Sequence, residues 1–367
     1  MKKTVFISVI TVALLTGCKG ESAVRQEKVN GVEMPVCSLD KVSGTRTMPL
    51  SELVESCELI RFEDIDAAIF KARMTTVSEK YIGVSLRGGG SFKLFDRSGK
   101  YLCDVGSLGQ GPGEYAIGTY DELIDDRNEL VYLAAFMENG ILVYSTSGQF
   151  LKKIKAPHRL NKPVMFLSEG ILSVVHMPFG GEESLAIQFD ADGNIVKQLK
   201  APEHLVVHDY GNEIFYHRNT GEFDLLPTAT DTLFHYDVKA NRIVPVFVME
   251  PPTKEDEFLS KIHNELKHGF LTTVMGKGLV YTDKKAKSAS WVKIVNDFYG
   301  GIECNGNSLF FRNGWYTWNV EPLDLIDAIE KRLQESDCTD DDRTKLKELL
   351  STIDANSANL LFLGKLK

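Results

Sequence analysis

The sequence predicts an all-β chain folded as a six-bladed β-propeller with a small helical insertion in its last blade. Three observations predict it: a hairpin motif that recurs at an even interval, short apolar runs between the recurrences, and little helical spacing before the C-terminal region.

Residues 93–102 (KLFDRSGKYL), 142–151 (LVYSTSGQFL), 187–196 (IQFDADGNIV) and 234–243 (FHYDVKANRI) align. Their aromatic markers Phe95, Tyr144, Phe189 and Tyr236 are spaced by 49, 45 and 47 residues. In the first three, an alternating apolar run meets Asp or Ser, then two residues, then Gly, and a second alternating run follows. Asp or Ser hydrogen-bonds the backbone ahead of it, and glycine takes the positive φ of a tight hairpin. The fourth copy has Ala240 and Asn241 in place of glycine, and asparagine tolerates that conformation better than other non-glycine residues. The hairpin signature fades after Tyr236.

Further apolar runs at 81–86, 130–135, 170–176, 214–216 and 278–281 supply the remaining strands, about four per period. Between 50 and 320 only 255–266 has helical spacing, too little for a parallel α/β fold. The 318 residues from Leu50 to Lys367 hold about six periods once the insertion is set aside. That insertion, about 321–353, comprises two amphipathic stretches, 321–333 and 341–353, with acidic starts and basic later turns. Residues 360–366 return to strand character. Pairing this closing strand with the early segment 57–62 closes the ring and removes sheet edges that invite aggregation.

The first residues concern location. Lys2 and Lys3 precede an apolar stretch over 4–15, and Leu15, Thr16, Gly17 and Cys18 end it. The pattern is that of a secretory signal over 1–17, too short to span a bilayer core that needs roughly 20 residues. Leu15 to Cys18 resembles the bacterial lipobox, which implies diacylglycerol on the Cys18 thiol, cleavage before it and acylation of the new amino terminus. Several acyl chains make such anchoring durable. The polar residues 18–48 read as a lipidated flexible tether, with the propeller over 49–367.

Composition fits a large folded domain: 43% of the chain is hydrophobic and 10% aromatic. The net charge of −9, with no basic stripe, speaks against a nucleic-acid partner. Besides Cys18 the cysteines are Cys37, Cys57, Cys103, Cys304 and Cys338, an odd set without CxxC spacing. One or two bridges or buried free thiols are both compatible with it, and no essential bridge is expected.

Four features bear on chemistry. Residues 106–113 are glycine-rich but lack the Gly-Lys-Ser/Thr ending of a phosphate loop, so they read as a blade-to-blade connection. Asp190 to Asn194 imitates the start of a calcium loop, but its twelfth position is Ala201, so they read as a turn. His204 and His208 lie in a loop entering a strand, where their spacing does not put both rings on one face. No metal, cofactor or catalytic residue is assigned. Trp315, Tyr316 and Trp318, with Trp291, Phe298 and Tyr299 nearby, are the candidate ligand-binding aromatics, although aromatics also pack blades together.

The segment 105–115, the opening 50–60, the helix start 321–325 and the ending 363–366 (LGKL) together resemble the six-bladed β-propeller lipoproteins of gut Bacteroidota, whose fold is similar to NHL-type propellers. The resemblance covers nearly all of the mature chain. It implies that architecture and a lipid-anchored place in the cell envelope, at the outer membrane, on its periplasmic or its surface side. Two functions are compatible with it. One is a binding module for a glycan, a peptide or an envelope protein. The other is a propeller enzyme, such as a lactonase, lyase or glycoside-acting hydrolase, with residues converging on the axial funnel.

Overall fold

A computed structural model describes residues 22–29, 31–180, 184–253 and 260–367. The signal segment and Cys18 lie outside the described residues.

Six blades surround an axis. Blade 1 is Ala72–Val77, Tyr81–Leu86, Phe92–Asp96 and Tyr101–Val105, from axis to rim. Blade 2 is Thr119–Asp125, Leu130–Ala135, Gly140–Ser145 and Phe150–Lys155. Blade 3 is Val164–Ser168, Ile171–Val175, Ser184–Phe189 and Ile195–Lys200. Blade 4 is Ile214–Phe215, Asp224–Pro227, Thr232–Asp237 and Arg242–Glu250. Blade 5 is Lys261–Glu265, Gly269–Val274, Gly278–Asp283 and Ser288–Asn296. Blade 6 is Phe310–Arg312, Trp315–Val320, Leu360–Lys365 and Glu58–Arg61.

Side chains of a strand alternate between its two faces, so each sheet presents an apolar surface to both neighbours. Six apolar clusters result, one per blade interface. Between blades 1 and 2, for example, Phe92, Leu94, Val131, Leu133 and Tyr144 pack together. No sheet buries both faces alone, and the ring follows from that.

The hairpin chemistry is as the repeat implies. Asp96 Oδ1 accepts from the backbone N–H of Ser98 and Lys100, and Gly99 sits at φ +90°. In blade 4, Asn241 takes φ +51°. The repeat also continues where its signature fades: Asp283 lies 46 residues beyond Asp237, accepts from Lys285 and Ala286 N–H, and the positive φ falls on Lys287, at +52°. With no glycine, this fifth copy is invisible to a glycine-based search.

The two ends of the chain share blade 6, where Leu361 pairs with Ile60 and Phe362 with Leu59. Helices α1 (Pro322–Gln334) and α2 (Asp340–Ser351) interrupt this blade between its second and third strands. Pro322 opens α1, and Thr339 caps α2 by accepting from Asp342 N–H. Leu325, Ile329 and Leu346 anchor the pair against Ile302 and Val320.

Two expectations fail. The tether expected over 18–48 is structured from Val24 onward. Val24–Val29 and Val32–Ser38 form a hairpin whose second strand runs parallel to the rim strand of blade 4, and Thr45–Pro49 runs parallel to that of blade 5. Met34, Val36, Cys37 and Met48 are buried there, and Arg25 ion-pairs Glu250. These apolar positions are too few to stand out from a polar background, and blades 4 and 5 supply the partner edges. The helix expected over 255–266 is not formed by its described part: Lys261–Glu265 is the innermost strand of blade 5, and 254–259 lie outside the described residues. Ring position overrides local helical spacing there.

Candidate functional site

Innermost strands bring charged residues to the axis. Asp121 and Glu122 come from blade 2, Arg73 from blade 1, Arg312 from blade 6, and Arg218 from just beyond the first strand of blade 4. Asp121 and Glu122 are fully buried, and each is engaged several times. Asp121 Oδ1 accepts from Arg312 and lies 3.4 Å from Arg218 Nη2, while Asp121 Oδ2 accepts from Met165 N–H at 2.6 Å. Glu122 Oε1 accepts from Arg73 at 2.7 Å and from the Thr119 hydroxyl at 2.5 Å. The Tyr216 ring has the Arg218 and Arg312 guanidiniums 4.9 and 5.1 Å from its centre. Carboxylates do converge on the axis, but each is closed in by guanidiniums, so the cluster works as a buried electrostatic hub linking the blades.

Other buried polar groups stand beside it. Burial raises Asp224 to about 6, although its Oδ1 accepts from the backbone N–H of His217 and Arg218. Burial lowers His217 to about 4, and His176 and His263 to about 3.

The open site lies at the end of the propeller where the innermost strands begin, between blades 6 and 1. The innermost strand of blade 6 has only three residues and pairs with Trp315 to Thr317, so Trp318, Asn319 and Val320 have no strand partner on the axial side. The chain there forms a single 3-10 turn, Gly306–Ser308. The result is a cleft of about 750 Å³, within the size range of small-ligand sites. One wall is Lys71, Arg73 and Arg87 of blade 1, and the other is α1, with Glu321 and Asp324 at its start and Lys331, Arg332 and Glu335 further along. The floor includes Thr317, Asn319 and Asn359. Asn359 Nδ2 donates to Asn319 Oδ1 at 2.9 Å, and the buried Asn319 Nδ2 finds no acceptor.

A second pocket, about 690 Å³, lies at the opposite end between blades 3 and 4 and contains His235. His235 Nε2 is 2.5 Å from Glu265 Oε2, and Lys284 Nζ is 2.5 Å from Glu265 Oε1. Burial pulls the His235 pKa down, but the Glu265 carboxylate outweighs it and leaves the pKa raised.

The aromatic trio is split by the two-residue period of its strand. Tyr316 is fully buried between blades 5 and 6, donating to Ser308 O at 3.0 Å. Trp318 shares that side, stacks on Phe362 with centroids 4.9 Å apart, and only borders the cleft. Trp315 faces blade 1 beneath the Arg97 guanidinium, 4.3 Å from its ring centre. Tyr299 also packs edge-on against Phe362. Spacing along the chain therefore does not make a shared aromatic surface.

The remaining motifs are internally satisfied. Glu114 Oε2 accepts from Gly111 N–H within the glycine-rich connection, and the Tyr144 hydroxyl donates to Gly113 O. Asp190 accepts from the N–H groups of Asp192 and Asn194. His204 belongs to a 3-10 turn, Glu203–Leu205, with His208 beyond it. Cys37, Cys57, Cys103, Cys304 and Cys338 are free thiols. Sequence reasoning missed the axial hub and the cleft, because their residues come from four blades and carry no local spacing.

The family described as "Domain of unknown function (DUF4934)" matches residues 35–364. No curated protein matches the chain. Among solved structures, a candidate exported protein of Bacteroides fragilis is similar at a TM-score of 0.60 and 14% identity, over 88% of this chain and all of that one. A member of the DUF4221 family from Bacteroides vulgatus is similar at a TM-score of 0.46 and 10% identity, over 86% of this chain and 98% of that one. The first of these likenesses shows the propeller fold.

Proposed function

Given that the chain belongs to the DUF4934 family, we propose that it is an exported, lipid-anchored binding module that holds its ligand in the cleft between blades 6 and 1. The observation that carries this reading is the contrast between two sites. The axial carboxylates are buried and engaged by arginines, whereas the cleft is open and exposes Lys71, Arg87, Glu321 and Asp324, none with an ion-pair partner among the described residues. A general acid or base needs reach to a substrate, which the hub does not offer.

The anchor rests on the signal pattern over 1–17 and on Cys18. Among the described residues, no helix is long and apolar enough to cross a membrane. On this reading the lipid on Cys18 tethers the propeller at the cell envelope, at the outer membrane, and a glycan, a peptide or an envelope protein occupies the cleft. Metabolic labelling with an alkynyl fatty acid tests the anchor: label on the wild type and none on Cys18→Ala supports it, and an unlabelled wild type refutes it. A glycan and peptide array probed with the detergent-solubilised mature chain tests the binding role.

One observation favours the alternative of a propeller enzyme. His235, oriented by Glu265, which Lys284 holds in turn, has the arrangement of a positioned proton donor inside a pocket. Turnover abolished by His235→Asn, with the fold intact, would establish that reading.

A further inference from the structure

We propose that the cleft between blades 6 and 1 binds an extended peptide carrying one acidic and one basic side chain, the acidic one toward blade 1 and the basic one toward α1. This rests on the binding role proposed above and names its ligand class. Three observations lead to it.

The first is the polarity of the walls. Lys71 and Arg87 on one side are exposed, as are Glu321 and Asp324 on the other, and among the described residues none of the four has an ion-pair partner. Arg73, on the same wall, is already engaged by Glu122. A uniformly anionic ligand meets two carboxylates, and a uniformly cationic one meets two cations. A ligand with both charges matches both walls.

The second is the unpaired strand edge, beside which the chain forms only the 3-10 turn Gly306–Ser308. Trp318, Asn319 and Val320 lack a strand partner on the axial side because the innermost strand stops at Phe310. An unpaired edge is a template for an extended backbone. The third is Asn319, whose buried Nδ2 has no acceptor and matches the carbonyl of a peptide unit. A stacking platform for a sugar ring, by contrast, is not offered by Trp318, which stacks on Phe362.

The test uses the detergent-solubilised mature chain and fluorescein-labelled tetrapeptides, acetylated or amidated at their ends. One set carries one Lys or Arg and one Asp or Glu. Control sets are uncharged, all-acidic or all-basic, and oligogalacturonates form a separate arm. Mixed-charge peptides are expected to bind at least about tenfold more tightly than any control set. Arg87→Glu and Asp324→Lys should each weaken that binding about tenfold, and the double variant should prefer peptides of reversed charge order. Both positions are exposed, so an unchanged melting temperature checks the fold. Equal binding of charge-uniform peptides, or indifference to both substitutions, overturns the proposal. Oligogalacturonate binding without peptide binding overturns the peptide class and leaves the binding role standing. Binding of neither probe overturns both.

Discussion

Arg312, on the innermost strand of blade 6, donates to Asp121 on the innermost strand of blade 2, so one buried ion pair ties together the two blades that flank blade 1. Arg312 is 2% exposed and Asp121 0%. Removing one member strands its partner in a medium that solvates charge poorly. Asp121→Ala is therefore expected to lower stability by about 3–5 kcal/mol, measured by urea denaturation. The double variant D121L/R312M should cost clearly less than the sum of its single variants, since no charge of the pair is then left alone. A loss below about 1 kcal/mol for Asp121→Ala would contradict the hub.

Two glycines separate conformational strain from collision. Gly170, at φ +79°, has open space where a Cβ would go. Gly99, at φ +90°, would place its Cβ 2.3 Å from Arg61 O, on the strand that closes blade 6. Gly170→Ala should cost about 1–2 kcal/mol, the ordinary penalty of a left-handed residue. Gly99→Ala should cost more, because the closing strand must move as well. Thermal unfolding of the two variants checks the order.

The N-terminal strands are structural. A chain beginning at Leu50 loses the buried side chains of Met34, Val36, Cys37 and Met48 and uncovers the rims of blades 4 and 5. With about 1.5–3 kcal/mol for each large buried apolar side chain, it should melt well below a chain beginning at Ser22 and should aggregate more readily. Equal melting temperatures would show that the strands are dispensable.

Acid should destabilise the protein through its buried histidines. His176 and His263 are lowered to about 3 and His217 to about 4, so below pH 6.5 the unfolded chain takes up protons that the folded chain refuses. Each costs up to about 1.4 kcal/mol per pH unit between pH 6.5 and its folded value. Asp224, raised to about 6, acts with the opposite sign: its penalty is full above that value and disappears as pH falls toward 4. His235, held above its ordinary value by Glu265, also contributes stability as pH falls; three groups outweigh these two, so urea midpoints should fall from pH 7 to pH 5. Asp224→Asn should stabilise the protein at pH 7 and have little effect at pH 4.

The buried thiols Cys37 and Cys304 and the half-buried Cys57 should be inert. Burial pushes Cys57 and Cys304 up to about 12 and Cys37 up to about 11. Iodoacetamide at pH 8 should leave all three unmodified until the protein is unfolded, and dithiothreitol should not shift the melting temperature. Rapid alkylation of Cys304 in the native protein would refute its burial.

The legible part of the fold is what repeats. Asp96, Ser145, Asp190 and Asp237 announce their hairpins because a tight turn demands the same local chemistry each time. The helices are legible from their spacing and from acidic first turns. Asp283 and Lys287 escape notice because the positive φ there falls on a residue that does not advertise it. Trp315, Tyr316 and Trp318 mislead for a related reason: nearness along a strand sends alternate side chains to opposite faces.

By itself, the sequence determined the class of fold, the blade period and the place of the helical insertion, since turn chemistry and apolar alternation act over a few residues. Only the tertiary structure decided that the N-terminal segment braces blades 4 and 5, that Asp121 meets Arg218 and Arg312, and that a three-residue strand leaves a cleft beside blade 1. Those outcomes depend on which residues the closed ring brings together from nearly 100 to more than 200 positions apart, and no local pattern encodes such a meeting.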